Sequence, residues 1–133
     1  MFQRLARSGG MAFDRPMTQY LWIGLGSALG GMARFAVGSI IGSPDFPYGT
    51  LVVNVTGALL IGMISALNLK SPAPEFWIIG VLGGYTTFSA FSLQTFELIQ
   101  SARPIPAILY TIASVILCLL AVIAGQAVVR AAR

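Results

Sequence analysis

The residues of this chain that could do chemistry are concentrated in one short segment, GVLGGYTTFSAFSLQ, which runs from Gly80 to Gln94. A glycine pair, two threonines and two phenylalanines interrupt an apolar stretch that is long enough to cross a bilayer. In hydrocarbon an unsatisfied peptide group costs several kcal/mol, so such an interruption persists only where protein, water or an ion completes its hydrogen bonding. We therefore predict a break in a membrane helix near Gly83-Thr87, with a permeation or ion site beside it.

Phe88 and Phe91 occupy adjacent positions on one face of the helix that follows this segment, within a run of hydroxyl side chains. An aromatic ring has a negative face and a positive edge, so ring hydrogens can meet a small anion in the plane of the ring. Most membrane phenylalanines are ordinary packing groups. The surrounding hydroxyls are the feature that favours an anion pathway at this pair.

Two other apolar stretches carry polar side chains along one face. Asn54 lies near the middle of one, with Thr50 a turn away, and Tyr110, Ser114 and Cys118 recur on the other. An amide such as Asn54 either bonds a neighbouring helix, which is worth about 0.6 to 2 kcal/mol, or donates to a permeating ion. Both interpretations stay open for Asn54. Ser114 is equally able to bond the carbonyl one turn back, and we expect Cys118 to behave as a small buried apolar group.

The composition identifies an integral membrane protein. Of 133 residues, 56% are hydrophobic and 9% are charged, against roughly 25% charged in an average soluble domain. The chain has no histidine and one cysteine, which removes the usual ligands of zinc, haem and iron–sulfur sites. No nucleophile–base pair can be assembled either, so we do not expect an enzyme. The net charge of +4 suits a membrane surface better than nucleic acid, because no basic stripe with interleaved aromatic residues exists.

About 20 apolar residues cross a typical hydrocarbon core, and turn-forming residues divide this chain into four such stretches. The predicted fold is all-α, with spans at residues 20–41, 49–69, 76–100 and 105–129, and the short loops imply antiparallel neighbours. Residues 1–19 are predicted to be a polar N-terminal arm without the apolar region of a signal peptide. Residues 20–133 then form a single membrane domain.

Charged residues set the expected topology. The basic residues on the side of the termini are Arg4, Arg7, Arg15, Lys70, Arg130 and Arg133, and those on the other side are Arg34 and Arg103. The whole chain therefore favours termini in the cytoplasm, but the part from Met17 onward is nearly balanced and is compatible with either orientation. Arg34 is the one cation well inside a predicted span. We expect it to snorkel to the interface rather than to set a positive potential at a pore mouth.

Taken together, three ordered motifs resemble those of the Fluc (CrcB) family of fluoride channels. They are GGMARF in the first span, YGTLVVNVTGALLIG in the second and GVLGGYTTFSAFS in the third. The resemblance covers the chain from about Tyr20 to Val129. It implies a fluoride-selective channel of the bacterial plasma (inner) membrane, which exports fluoride passively and relieves its toxicity. It also implies an antiparallel, dual-topology homodimer with two pores and a structural sodium ion at the interface.

The resemblance also implies roles for individual residues. The ring edges of Phe88 and Phe91 would face the fluoride path, Asn54 would donate to the ion, and Thr50 would share that wall. Tyr110 and Ser114 match polar positions of the fourth helix that line the path. The backbone carbonyls of Gly83 and Thr86, contributed twice by symmetry, would hold the sodium ion.

The chain departs from the family pattern at two positions. Gln94 stands where the family commonly has a glutamate, and Cys118 stands where a second small hydroxyl residue often follows Ser114. A thiol is a weaker donor than a hydroxyl. Both changes are expected to affect the conduction rate or the vestibule rather than selectivity.

Two other function classes compete with a fluoride channel. A small multidrug transporter, also a four-span dual-topology dimer, exchanges protons for lipophilic cations and needs a carboxylate inside the membrane, typically in the first span, where this chain has Arg34 and no acidic residue. A non-transporting assembly subunit would use its polar stripes only to bond helices. Ion flux distinguishes the three.

Overall fold

The structure of the protein, a computed structural model, describes residues 17–133. These residues form only helices and connecting turns, and the helices are α1 (Met17–Ile41), α2 (Tyr48–Ala66), α3 (Glu75–Leu82), α4 (Gly83–Tyr85), α5 (Phe88–Gln100) and α6 (Pro104–Ala131). Four stretches are long and apolar enough to cross a membrane: α1, α2, the run from α3 to α5, and α6. The predicted all-α fold with four spans is confirmed.

The span boundaries differ from the prediction mainly at the end of α2. This helix ends at Ala66 rather than at residue 69, and Asn68 lies in the following turn with a φ of 51°. Asparagine tolerates this left-handed conformation because its short polar side chain can bond locally. The predicted arm at residues 1–19 falls largely outside the described residues, and residues 17–19 are the first of α1.

Glycines bring the spans together in two tightly packed pairs. α2 packs on α6, where a Cβ on Gly62 would meet the carbonyl of Val122 and a Cβ on Gly125 would meet the carbonyl of Leu59. α1 packs on α3 and α4, where Gly26 lies against Gly80 and Gly30 lies against Val81. Small residues at these positions allow close helix approach, because the backbones touch where no side chain separates them.

This packing predicts opposite effects for the same substitution at different glycines. Gly62→Ala should destabilise the protein by about 1 to 3 kcal/mol, the usual cost of overpacking, because the new methyl group overlaps the α6 backbone. Gly31→Ala is the matched control, since a Cβ there has nothing within 4 Å and alanine favours the helix. Thermal unfolding in detergent measures both. Equal stability of the two variants would contradict the packing.

The third span is broken, as predicted, but the break follows the glycine pair instead of including it. α3 is wound as a π-helix, Gly83 and Gly84 lie in the helical turn α4, and Thr86 and Thr87 are extended, with ψ angles of 157° and 121°. Gly84 has a packing reason to be glycine, because a Cβ there would lie 2.5 Å from the carbonyl of Ser27. The two threonines form the non-helical link, and α5 restarts at Phe88.

Candidate ion pathway at the helix break

Asn54 of α2 holds the extended link in place. Its Oδ1 accepts a hydrogen bond from the backbone N–H of Thr87 at 2.8 Å, and its Nδ2 donates to the carbonyl of Thr87 at 3.0 Å. One side-chain amide thus bonds both backbone polar groups of Thr87, and it replaces the helical acceptor that the break takes away from the N–H. This contact explains how the peptide groups of Thr87 are hydrogen-bonded inside the membrane.

Asn54 therefore makes a hydrogen-bonded contact between helices, which is one of the two roles that the sequence left open for it. An amide nitrogen carries two hydrogens, and only one is used by Thr87. Asn54 also lines the cavity beside the break. The contact with Thr87 and a contact with an ion are compatible, and donation to an ion stays a prediction.

Thr87 caps the N-terminus of α5, a role that was not predicted from the sequence. Its Oγ1 accepts a hydrogen bond from the backbone N–H of Ala90 at 3.1 Å and lies 3.1 Å from the hydroxyl of Ser89. Threonine is a preferred N-cap residue, so Thr87 is a sequence signal from which a helix start at Phe88 could have been predicted. The cap directs the first turn of α5, which carries Phe88 and Phe91.

Arg34 lies beside the break and does not extend away from it. Its Nη1 lies 3.5 Å from the carbonyl of Thr86, at the long limit of a hydrogen bond. The expectation that Arg34 snorkels to the interface is therefore not met in this structure. The guanidinium reaches the break because α1 packs against α4 through Gly30 and Tyr85.

The break leaves backbone oxygen atoms available. In an unbroken helix the N–H of Thr87 would bond the carbonyl of Gly83, but in this structure it bonds Asn54. Gly83 is exposed in the isolated chain, and both Gly83 and Thr86 line the cavity. The carbonyl of Thr86 accepts only the long contact from Arg34 among the described residues.

A cavity of about 440 Å³ opens beside the break, between α2, α3, α5 and α6. Six of the predicted site residues line it: Asn54, Gly83, Thr86, Phe88, Phe91 and Ser114. Its other lining residues are Thr87, Cys118 and small or aliphatic side chains, so that no lining residue carries a charge. The cavity presents one amide, several hydroxyls, one thiol and two aromatic rings.

The two phenylalanines lie next to each other but differ in exposure. Their ring centroids are 5.3 Å apart with a tilt of 46°, and Phe91 is 8% exposed while Phe88 is 77% exposed. Phe91 is held in the protein by the ring of Tyr110, whose centroid lies 5.2 Å away. Phe88 projects outward beside the break, and among residues 17–133 the ring of Phe91 is its aromatic contact.

Ser114 does not make the backbone contact that was left open for it. Its hydroxyl oxygen is buried and has no hydrogen-bond partner within the described part of the chain, and the residue is 6% exposed. Buried hydroxyls are nearly always bonded, so an unpartnered one on a cavity wall marks a position where a ligand or water completes the site.

The remaining predicted residues form a cluster adjoining the cavity. Tyr110 is fully buried, and its hydroxyl donates to Oε1 of Gln94 at 3.0 Å. Phe46, in the loop before α2, packs on Tyr110 with its ring edge, at 5.5 Å between centroids. Thr50 lies one turn before Asn54 on α2 but does not line the cavity. Phe46 was not predicted, because a loop phenylalanine carries no periodic signal.

The sequence itself matches a known family over most of its length. Residues 21–126 match the family described as CrcB-like protein, Camphor Resistance (CrcB). The chain belongs to the CrcB-like family. Its resemblance to this family, which rested on three motifs, is confirmed.

Several proteins named as fluoride-specific ion channels are similar to this chain over most of its length. The "Fluoride-specific ion channel FluC" of Nitrobacter winogradskyi is 46% identical over 121 residues, which cover 85% of this chain and 96% of the relative. The protein of that name from Rhizobium meliloti is 46% identical over 123 residues, covering 86% and 98%. The one from Caulobacter sp. is 45% identical over 124 residues, covering 86% and 96%.

Proposed function

We propose that this protein is a fluoride-selective ion channel that lets fluoride leave the cell passively and so relieves its toxicity. The observation that carries the proposal is the uncharged cavity at the helix break, with the amide of Asn54, the unpartnered hydroxyl of Ser114 and the rings of Phe88 and Phe91 on its walls. The relatives named as fluoride-specific channels support the choice of ion.

The chemistry of the cavity suits a small anion that must keep moving. Fluoride is strongly hydrated, so a pathway has to replace its water with several weak donors, and amide, hydroxyl and ring hydrogens supply these. A channel also has to release the ion, and binding that is too strong prevents this. An uncharged wall meets both requirements. It also lacks the carboxylate that a proton-coupled multidrug transporter requires.

We further propose that two copies assemble as an antiparallel homodimer with two pores in the bacterial inner membrane. The support is the exposure of Gly83 and of the Phe88 ring beside the break. Lipid cannot satisfy the carbonyl of Gly83, so protein has to cover it. A second copy in the opposite orientation would place two breaks together, and the near balance of loop charges from Met17 onward permits both orientations.

Sodium is the proposed structural cofactor of this dimer. The carbonyl of Gly83 has lost its helical donor to Asn54, and the carbonyl of Thr86 has only a long contact with Arg34. Neutral oxygen donors of this kind suit a hard cation such as sodium. Two carbonyls are too few for a complete shell, and a second copy would supply the other two. A bound cation would hold the two breaks together.

Liposome efflux tests the proposed function directly. Protein in liposomes loaded with potassium fluoride should release fluoride when a potassium ionophore removes the charge imbalance, because a passive channel needs no other substrate. A fluoride electrode measures the release. Liposomes loaded with potassium chloride are the control, followed with a chloride electrode.

The comparison between the halides decides selectivity. Fluoride release well above the rate of protein-free liposomes, with chloride release at that rate, supports the proposal. Equal rates for both ions would contradict selectivity. No flux from a folded, purified dimer would instead favour an assembly subunit.

A further inference from the structure

The one thiol of this protein lies on the wall of the cavity. Cys118 is the single cysteine of the chain, and it is a free, partly exposed residue of α6, one turn beyond Ser114. Both residues line the cavity together with Asn54, Thr86 and Phe91. The expectation that Cys118 acts as a small buried apolar group is therefore incomplete, because its surroundings on one side are the open space of the cavity.

Ser114 indicates independently that this wall receives a ligand. The residue is 6% exposed, and its hydroxyl has no hydrogen-bond partner among residues 17–133. It is therefore a buried polar group of a cavity-lining residue that residues 17–133 leave without a bond. Residues four apart lie on the same helical face, so Cys118 and Ser114 point toward the same space.

The character of the site follows from the thiol. Cysteine sulfur is a soft ligand that selects soft metal cations, whereas every other polar group on the cavity wall is a hard oxygen or nitrogen donor. No residue that lines the cavity carries a charge, although the guanidinium of Arg34 lies 3.5 Å from the carbonyl of the lining residue Thr86. The volume of about 440 Å³ is large enough for a small metal group attached to sulfur.

We propose that Cys118 is a binding site for small thiophilic metal cations, and that an occupied site blocks the pathway. This inference rests on the proposed channel function. In the binding step a bond forms between the sulfur and the metal, the thiol proton passes to water, and the weakly held water or chloride leaves the metal. Nothing is oxidised or reduced. The bound group then occupies part of the cavity that Asn54 and Phe91 also line, and its volume blocks the path of the anion.

Methylmercury chloride is a suitable probe, because it is small and forms one bond to one thiol. Wild-type protein in fluoride-loaded liposomes should lose its flux to the level of protein-free liposomes, and dithiothreitol should restore it by competing for the metal. Cys118→Ser should conduct without the reagent and keep its flux in its presence. Intact-protein mass spectrometry of the same samples counts the bound groups.

A relocated thiol provides the matched control. The double variant Cys118→Ser, Leu120→Cys places a thiol on the same helix at a residue that is 56% exposed and does not line the cavity. It should gain one methylmercury group and retain its flux. This separates a block of the pathway from a general effect of the metal on the helix.

The outcomes separate this inference from the proposed function. Absence of fluoride flux before any reagent is added would overturn the channel, and the metal site would then be judged by labelling of the folded protein alone. Labelled wild-type protein that still conducts would overturn the block. Loss of flux in Cys118→Ser when methylmercury is added, measured against the same variant without it, or labelling of Cys118 only after denaturation, would overturn the site.

Discussion

Asn54→Leu is expected to reduce fluoride efflux to the rate of protein-free liposomes. Leucine has a similar size but neither donates nor accepts, so the N–H and the carbonyl of Thr87 both lose their partner. Each unsatisfied buried group costs about 1 to 3 kcal/mol, which is enough to displace the extended link. The donor proposed to face the ion is lost in the same step. Efflux and thermal stability measured on one preparation report both effects.

Two control variants separate the roles of Asn54. Asn54→Asp keeps an acceptor for the N–H of Thr87 but loses the donor to its carbonyl and introduces a negative charge on the anion pathway. It should fail to conduct, because the added carboxylate repels the anion and also faces the carbonyl of Thr87. Thr56→Val removes a hydroxyl two residues away that bonds Tyr85 and does not line the cavity, so its flux should persist. Normal efflux in folded Asn54→Leu would contradict the assignment.

Phe91→Ile is the second substitution expected to have a large effect. Isoleucine fills much of the volume but has no ring edge, so the positive ring hydrogens proposed to contact the ion are removed. The rings of Phe88 and Tyr110 also lose their common neighbour, at 5.3 and 5.2 Å. Fluoride efflux should fall to near background while the protein still folds. The fluoride-electrode assay measures the first and size-exclusion chromatography checks the second.

The same change elsewhere on α5 is the matched control. Phe96 is 54% exposed and does not line the cavity, so Phe96→Ile should leave efflux close to the wild-type rate. If both variants conduct equally, the ring of Phe91 has only a packing role. If both lose flux equally, the effect belongs to the stability of α5.

The four spans and the position of the break could be predicted because both depend on local chemistry. Apolar length defines a membrane span, and a Gly-Gly-Tyr-Thr-Thr segment cannot remain an ordinary lipid-facing helix. The π-helical winding of α3 could not be predicted, because its sequence, EFWIIGVL, is as compatible with an α-helix. The π-helical winding occurs where α1 packs against this segment. Packing between helices cannot be predicted from the helix propensities of local residues.

The candidate site was predicted as a set of residues but not as a set of bonds. Asn54 and Thr87 are 33 positions apart, and nothing local in either sequence shows that they pair. The contact of Arg34 with Thr86 could not be predicted for the same reason, because it depends on how α1 packs against α4. Phe46 reaches Tyr110 only because the loop between α1 and α2 folds over that end of the protein.

The carbonyl of Gly83, which has lost its helical donor, has a consequence for the assembly of newly made protein. A single copy alone in the bilayer would expose Gly83, whose carbonyl has lost its helical donor, and the ring of Phe88 to acyl chains, at a free-energy cost that persists until protein covers them. On the proposed homodimer, unpaired copies should therefore be short-lived, and paired copies should exchange partners very slowly. Cellular proteases would then degrade mainly unpaired copies. The amount of functional protein would therefore depend on how fast newly made chains associate.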